Sequence, residues 1–358
     1  MRTNFFRYKY GKIKLPMFFP DATRAVVKAL DFADIEGTKT PGVLVNTFHL
    51  WRGLDKKVLA KFGSIGKFMS WKGALVSDSG GFQVMSLIKS GKLKGKITDE
   101  GIVFYPGKNK KVVFGPQESI RFQLLLNTDL MVVLDDFTDP KSSYAEAKKS
   151  VERTLLWARR SKKEFEKLTK GKKEKPYLLG VVQGGEYLDL REYCTKELVK
   201  IGFDGLGWGG WPFDETGKIN FASAEVIAKN TPKNYLLHGL GIGKPEDIVQ
   251  CVLLGFNIFD CVIPTRDGRH GRLFTYNSDS IDKIDVRKKD FYSIYNADRE
   301  ANLLNNSPVS SACDCLLCKK YSKGYLAHLF KIKDVTAMRL ASIHNLRFYS
   351  LLMEKLRT

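Results

Sequence analysis

No stretch of this chain approaches the ~18 consecutive apolar residues that a membrane-spanning helix needs, although 43% of its residues are hydrophobic. A spanning helix is therefore excluded. The first residues, Met-Arg-Thr-Asn-Phe-Phe-Arg-Tyr-Lys-Tyr, lack the apolar core of a secretory signal, so a cytoplasmic protein with no membrane partner is expected. Cysteine is scarce, with 6 in 358 residues, and Cys194, Cys251 and Cys261 are scattered, which argues against a disulfide framework. No Gly-x-Gly-x-x-Gly follows the first strand-like run, and the segment Gly239-Leu-Gly-Ile-Gly lacks that spacing, so dinucleotide binding is set aside. Acidic residues are in deficit: 39 against 59 basic, a formal net charge of +20. That balance favours a polyanionic partner, nucleic acid first, through phosphate neutralisation and counterion release. The mixed Lys/Glu stretch from Lys148 to Lys175 reads instead as a charged helix face.

What the chain does have is a regular alternation. Short β-rich runs bounded by Gly, Pro, Asn or Asp occur at Met17–Phe19, Val43–Phe48, Ala74–Ser77, Leu130–Leu134, Tyr177–Val182, Gly205–Trp208, Tyr235–Leu240 and Ile258–Ile263. Helix-compatible stretches lie between most of them, at Ala22–Leu30, Tyr144–Leu168, Leu188–Ile201, Ala222–Lys229 and Pro245–Leu254. This is the pattern of βα units and a parallel sheet, and eight of them predict an α/β fold, a (β/α)8 TIM barrel. The gap from Ser79 to Asp129 is too long for one helix. It predicts an insertion after strand 3, with Lys-rich turns at Lys89–Lys96 and Lys108–Lys111 that form a hairpin or meet a phosphate backbone. The whole chain, 1–358, is expected to be one catalytic barrel domain that includes a metal-binding subdomain at about 285–349.

Three aspartates end apolar runs and lead into loops: Asp78 in Ala-Leu-Val-Ser-Asp-Ser-Gly-Gly-Phe-Gln, Asp135 in Met-Val-Val-Leu-Asp-Asp, and Asp260 in Ile-Phe-Asp-Cys-Val-Ile-Pro-Thr-Arg. Any one of them alone reads as a helix cap. In a barrel all three fall on the face that carries the chemistry, where one carboxylate can attack and another can move protons. The same rim predicts a polar set: Asn46-Thr47-Phe48-His49, Asp135-Asp136, Gln183-Gly184-Gly185, Gly209-Gly210 and Gly241. Glycines there let backbone amides and a planar ligand come close.

Cys313-x-Cys315-x2-Cys318, followed after 25 residues by His344, supplies three thiolates and an imidazole, a closed tetrahedral set suited to structural Zn2+. His328 is a rival fourth ligand, nearer in sequence, whereas His344 falls in the apolar-patterned segment Asp334–Arg357. With four protein ligands no position is left for water, so the metal contributes folding energy rather than chemistry.

Together Asp78-Ser-Gly-Gly-Phe-Gln-Val-Met-Ser, Val182-Gln-Gly-Gly, Phe259-Asp-Cys-Val-Ile-Pro-Thr-Arg-Asp-Gly-Arg and the Cys/His set resemble the tRNA-guanine transglycosylase family, in order, from about Gly11 to Tyr349. The resemblance implies a (β/α)8 barrel with a zinc module near the carboxyl end. The activity it implies is exchange of the wobble guanine of tRNA for a 7-deazaguanine, most often 7-aminomethyl-7-deazaguanine in bacteria. By the same resemblance Asp260 is the nucleophile that holds the RNA as a glycosyl ester, and Asp78 the general acid/base. Asp135, Gln183, Gly209 and Gly210 would bind the purine edge, Phe82 and Leu240 would sandwich its faces, and Arg266 and Arg269 would read the flanking uridines. A homodimer is also implied. The match departs at Phe137, where bacterial members usually carry Cys, and at Gly209-Gly210-Trp211-Pro212-Phe213-Asp214, where they tend to read Gly-Gly-Leu-Ala-Val-Gly. Those departures leave open the 7-cyano base or queuine as the incoming base. A DNA-acting relative and a non-catalytic RNA-binding subunit are the other classes to be weighed.

Overall fold

The computed structural model describes residues 4–107, 110–213 and 218–357. Eight parallel strands form one sheet, labelled here β1 (Met17–Pro20), β2 (Gly42–Val45), β3 (Ala74–Ser77), β4 (Leu130–Val132), β5 (Tyr177–Val182), β6 (Gly205–Trp208), β7 (Leu236–Gly239) and β8 (Ile258–Cys261). Neighbours pair in parallel in the order β1-β8-β7-β6-β5-β4-β3-β2. The two outer strands meet through a single bridge, Asp21 to Leu44, and the Ala22 N–H donates to the Leu44 carbonyl at 2.7 Å, closing the barrel. This is the expected (β/α)8 architecture.

The period of two along a strand decides what the barrel holds. Met17, Phe19, Leu44, Ala74, Val76, Leu130, Val132, Leu179, Val181, Leu236 and Ile258 form one buried cluster, with Phe6 and Leu15 from the amino-terminal hairpin packed into it. The intervening residues, such as Phe18, Leu178, Val182, Leu206, Leu237 and Phe259, belong to a separate cluster that packs on the helices. Burial of each such side chain contributes about 1.5–3 kcal/mol. One step of two beyond the inward residues of seven strands come Asp21, Asn46, Asp78, Gln183, Gly209, His238 and Asp260, whereas on β4 that place is taken by buried Leu134. Backbone alternation thus sets a polar ring on top of an apolar plug.

The helices agree closely with the sequence pattern. Tyr144–Thr169 opens on a capping box between Ser143 and Glu146, Leu188–Ile201 and Pro245–Leu254 match their expected bounds, and Phe221–Asn230 extends its own by a residue at each end. Ala22–Leu30 is not a helix: Ala25 and Ala29 have φ of 62° and 69°, and the helix begins only at Phe32–Gly37, where Asp31 and Asp34 make a capping box. Asp21 precedes the stretch but accepts from Thr23 Oγ1, and the β-branched Val26-Val27 pair favours no helix there. Four strands are also shorter than read, with β7 losing Tyr235 and Leu240 at its two ends. After β2 the Asn46 side chain accepts from the His49 N–H at 2.8 Å and starts the helix Thr47–Gly53. After β8 the helix Ile263–Arg269 begins, with Pro264 in its first turn. β4 stops at Val132, two residues early.

The insertion after β3 holds the helix Gly81–Lys89, a three-stranded antiparallel sheet (Lys94–Thr98, Gly101–Tyr105, Val112–Phe114) and the helix Pro116–Leu126. Lys108, in the second Lys-rich turn, lies outside the described residues. Beyond the barrel come the hairpin Arg272–Tyr276/Tyr292–Asn296 and the helices Leu316–Lys320, Lys323–Lys331 and Val335–Leu356. The last of these lies against Ile263–Arg269 so closely that a Cβ on Gly268 would sit 3.0 Å from Ser342 Cα and N. Buried Asn345 ties the two together, donating to the Pro264 carbonyl at 2.8 Å and the Arg272 carbonyl at 3.0 Å and accepting from the Phe274 N–H at 3.0 Å.

Candidate active site

Asp78 follows β3, and both its oxygens are occupied from the end of β2: Asn46 Nδ2 donates to Oδ2 at 2.6 Å and the Thr47 N–H donates to Oδ1 at 2.9 Å. Burial pushes its carboxyl up to about 7, the Thr47 bond opposes the rise, and the negative charges of Asp21 and Asp260 add to it. A carboxyl poised near neutrality exchanges protons in both directions. The turn that holds it requires Gly80, whose φ is +78° and where a Cβ would lie 2.6 Å from Phe48 N.

Asp260 sits in β8 with its side chain on the inner face, next to Ile258 in the two-residue alternation. Its Oδ1 meets His238 Nε2 at 2.8 Å and the Gly241 N–H at 3.2 Å. Asp78 and Asp260 therefore share one rim and feel one another's charge.

Asp135 lies beyond β4, where Gln183 Nε2 donates to its Oδ2 at 2.6 Å. Gln183 is fully buried, and its Oε1 accepts from the Thr138 N–H at 3.1 Å, which fixes the amide orientation. Burial raises the Asp135 carboxyl to about 6, against the Gln183 bond and with the charge of Asp136 adding to the rise. Asp136 itself turns away to the Arg153 guanidinium. Gly209 makes room for this pair: a Cβ there would lie 2.4 Å from Val181 Cγ1 and 2.7 Å from Gln183 Nε2. Gly210 adopts φ of +82°. Phe82 is exposed and meets Phe137 edge-to-face at 5.1 Å between centroids, so the phenyl ring that replaces the usual Cys braces it. Leu240 packs on the barrel cluster. Trp211 is exposed, Pro212 is buried with its carbonyl accepting from Asn220 N–H at 2.8 Å, and Asp214 lies outside the described residues.

Arg266 and Arg269 both come from the helix Ile263–Arg269. Arg266 is exposed and near Asp267, at 3.4 Å. Arg269 is half-buried with Nη1 in no hydrogen bond, and burial and Arg266 both hold its pKa below the usual value.

Three groups went unread in the sequence. Asp21 follows β1, accepts from Thr23 Oγ1 at 2.7 Å, and has its carboxyl raised by burial and by Asp260. His238 lies in β7. Arg191 is buried in the helix Leu188–Ile201 and ties the rim together, donating to the carbonyls of Gly185 at 2.9 Å, Val182 at 2.8 Å and Gly209 at 2.7 Å. Burial lowers its pKa to about 10. A signal for the first two existed, since each continues the inward alternation of its strand. Arg191 gave none, because a helical Arg looks like a surface residue.

Away from the rim, the ligand atoms of Cys313, Cys315, Cys318 and His344 all lie within 4.8 Å of one another. His344 Nδ1 is 3.2 Å from Cys318 Sγ and 3.6 Å from Cys315 Sγ, while its Nε2 meets the Phe274 carbonyl at 2.8 Å. The Phe274 carbonyl must accept, so the ring proton is on Nε2 and the Nδ1 lone pair faces the thiols, as a metal-ligating imidazole requires. The donor set fits a tetrahedral thiolate-rich ion. His328 is exposed and not part of the group.

A family model described as "Queuine tRNA-ribosyltransferase" matches residues 1–358. The chain is 38% identical to the queuine tRNA-ribosyltransferase of Shewanella sp. (strain W3-18-1) over 349 residues, 97% of this chain and 87% of that protein. It is 39% identical to the protein of the same description from Shewanella baltica (strain OS155 / ATCC BAA-1091) over 350 residues, again 97% and 87%. With that of Shewanella sp. (strain ANA-3) the figure is 37% over 353 residues, 98% and 88%.

Proposed function

The chain belongs to the queuine tRNA-ribosyltransferase family, and from that premise we propose that it exchanges the wobble guanine of tRNA for 7-aminomethyl-7-deazaguanine through a covalent enzyme–RNA intermediate. Asp260 attacks the ribose anomeric carbon, the glycosidic bond breaks, and guanine departs with a proton from Asp78. The incoming base then gives its N9 proton to Asp78, bonds the anomeric carbon, and releases Asp260. A carboxylate suits both steps because the transition states carry oxocarbenium charge. The observation that carries this reading is an Asp78 carboxyl held near 7 beside Asp260, since one group must give and then take a proton.

Asp135, Gln183, Gly209 and Gly210 bind the purine edge in this reading, and Phe82 and Leu240 cover its faces, the way an extruded base is generally held. Arg266 and Arg269 meet the unpaired neighbours, where planar guanidinium groups stack and donate. Pro212 has no N–H and its carbonyl accepts from the Asn220 N–H, so this wall lacks a backbone donor at that position. That suits a cationic aminomethyl group better than a nitrile, which needs a donor.

Cys313, Cys315, Cys318 and His344 hold zinc, which when bound supplies folding energy and no step of the reaction. One barrel domain spanning 1–358, with the metal module at about 285–349, works as a homodimer in the cytoplasm. Among the described residues no helix is long and apolar enough to cross a membrane.

The test is to trap the adduct with an anticodon stem-loop and then offer each deazaguanine in turn. Release by the aminomethyl base alone is the expected result, with Asp260→Asn forming no adduct. Release only by queuine or the cyano base would reassign the substrate. Label entering DNA but not RNA would overturn the tRNA reading.

A further inference from the structure

Asp260 is held by one oxygen only. Its Oδ1 receives both His238 Nε2 at 2.8 Å and the Gly241 N–H at 3.2 Å, whereas among the described residues no donor lies on Oδ2. His238 is fully buried, points inward from β7 beside Leu236 and Gly239, and has an Nδ1 in no hydrogen bond. A carboxylate accepts, so the ring proton that serves this contact is on Nε2. A proton on Nδ1 would be buried without an acceptor, which is unfavourable.

We propose that His238 is a positioning residue for the reaction: with the Gly241 N–H it clamps Oδ1 of Asp260 and leaves Oδ2 as the oxygen that bonds the ribose. This rests on the reading of Asp260 as nucleophile. The clamp serves both halves of the exchange. In the first, it fixes the carboxylate plane, so that Oδ2 keeps one direction of approach. In the ester, Oδ1 is the carbonyl oxygen and still accepts both donors. In the second, the C1′–Oδ2 bond breaks and its electron pair returns to the carboxylate, whose charge those two donors stabilise.

The experiment compares single-turnover adduct formation and steady-state kinetics in wild type, His238→Phe, His238→Gln and His238→Asn, with the adduct mapped by peptide mass. A glutamine amide nitrogen reaches the place of Nε2, whereas an asparagine amide stops near Nδ1. His238→Phe and His238→Asn are expected to slow adduct formation roughly 10–100-fold, the loss of a hydrogen bond to a charged group, with KM for tRNA within about twofold. His238→Gln is expected to recover most of the rate. Equal rates in all four proteins would overturn the proposal. So would a rise in KM with the adduct rate unchanged, or equal defects in the Gln and Asn variants when their melting temperatures match. If His238→Phe does not fold, the Gln and Asn pair alone decides. An adduct mapped to another residue would sink the nucleophile reading and this proposal with it, while an Asp260 adduct indifferent to position 238 sinks only the proposal.

Discussion

Asn46 serves two masters at once: its Oδ1 caps the helix Thr47–Gly53 at His49 N–H, 2.8 Å away, while its Nδ2 donates to Asp78 Oδ2 at 2.6 Å. The donor favours the ionised carboxylate, so it holds Asp78 lower than burial alone would. Removing it in Asn46→Ala should raise Asp78 further above 7, by up to about one unit. In the proposed exchange adduct formation needs the protonated acid, so its rate falls as pH rises through that value. The fall should therefore move to higher pH in the variant, as read by single-turnover rates across pH 5–9. Loss of the cap, worth about 1 kcal/mol, lowers the melting temperature but cannot move that midpoint, and an unmoved midpoint would contradict the role of Asp78.

In the proposed reading Asp135 accepts from the purine edge, more strongly when ionised, and burial raises its carboxyl to about 6. Guanine affinity should then be steady above that value and weaken as pH drops through it, by roughly tenfold at one unit below. Asp135→Asn should weaken binding by roughly 10–100-fold, the worth of hydrogen bonds to a charged group, and flatten the pH dependence. Equilibrium titration with guanine at several pH values checks both.

Gly209→Ala forces a methyl group to 2.4 Å from Val181 Cγ1 and 2.7 Å from Gln183 Nε2. Overpacking of this kind costs about 1–3 kcal/mol. The expected outcome is a melting temperature lower by several degrees and a KM for the base raised about tenfold or more, because the displaced amide is the one that meets Asp135. Gly37→Ala, where an added Cβ meets nothing within 4 Å, serves as the neutral control.

Cys318→Ser, or a strong chelator, should strip the metal and lower the melting temperature, as followed by metal analysis and thermal scans. The helix that carries His344 also carries Asn345, which holds the Pro264 and Arg272 carbonyls. Metal loss should thus raise KM for tRNA through the helix of Arg266 and Arg269 more than it slows the chemical step. A defect confined to adduct formation would speak against that route.

The barrel, its insertion and the Cys/His quartet were legible because each rests on local regularities: strand runs at intervals, a gap too long for one helix, thiols at metal-ligand spacing. Asp78, Asp135 and Asp260 were legible for the same reason, as acids that end apolar runs. His238 and Asp21 were missed, although each continues the inward alternation of its strand. Each lies inside or directly after a strand, and its importance comes from a neighbour over 20 residues away in sequence, as with His238 Nε2 and Asp260 Oδ1. Arg191 was hidden by its helical setting, since only the tertiary fold surrounds its guanidinium with carbonyls. The stretch Ala22–Leu30 misled in the opposite direction: its composition suits a helix, yet Ala25 and Ala29 adopt positive φ as the chain wraps from β1 to the capped start at Asp31.

Where β1 and β2 meet, the cylinder is joined by one bridge between Asp21 and Leu44, and this joint lies between the stave that bears Asp260 and the one that precedes Asp78. Asp78 and Asp260 therefore stand on either side of this joint. In the proposed exchange, a substitution that alters this joint therefore also alters the reach between attack and proton transfer.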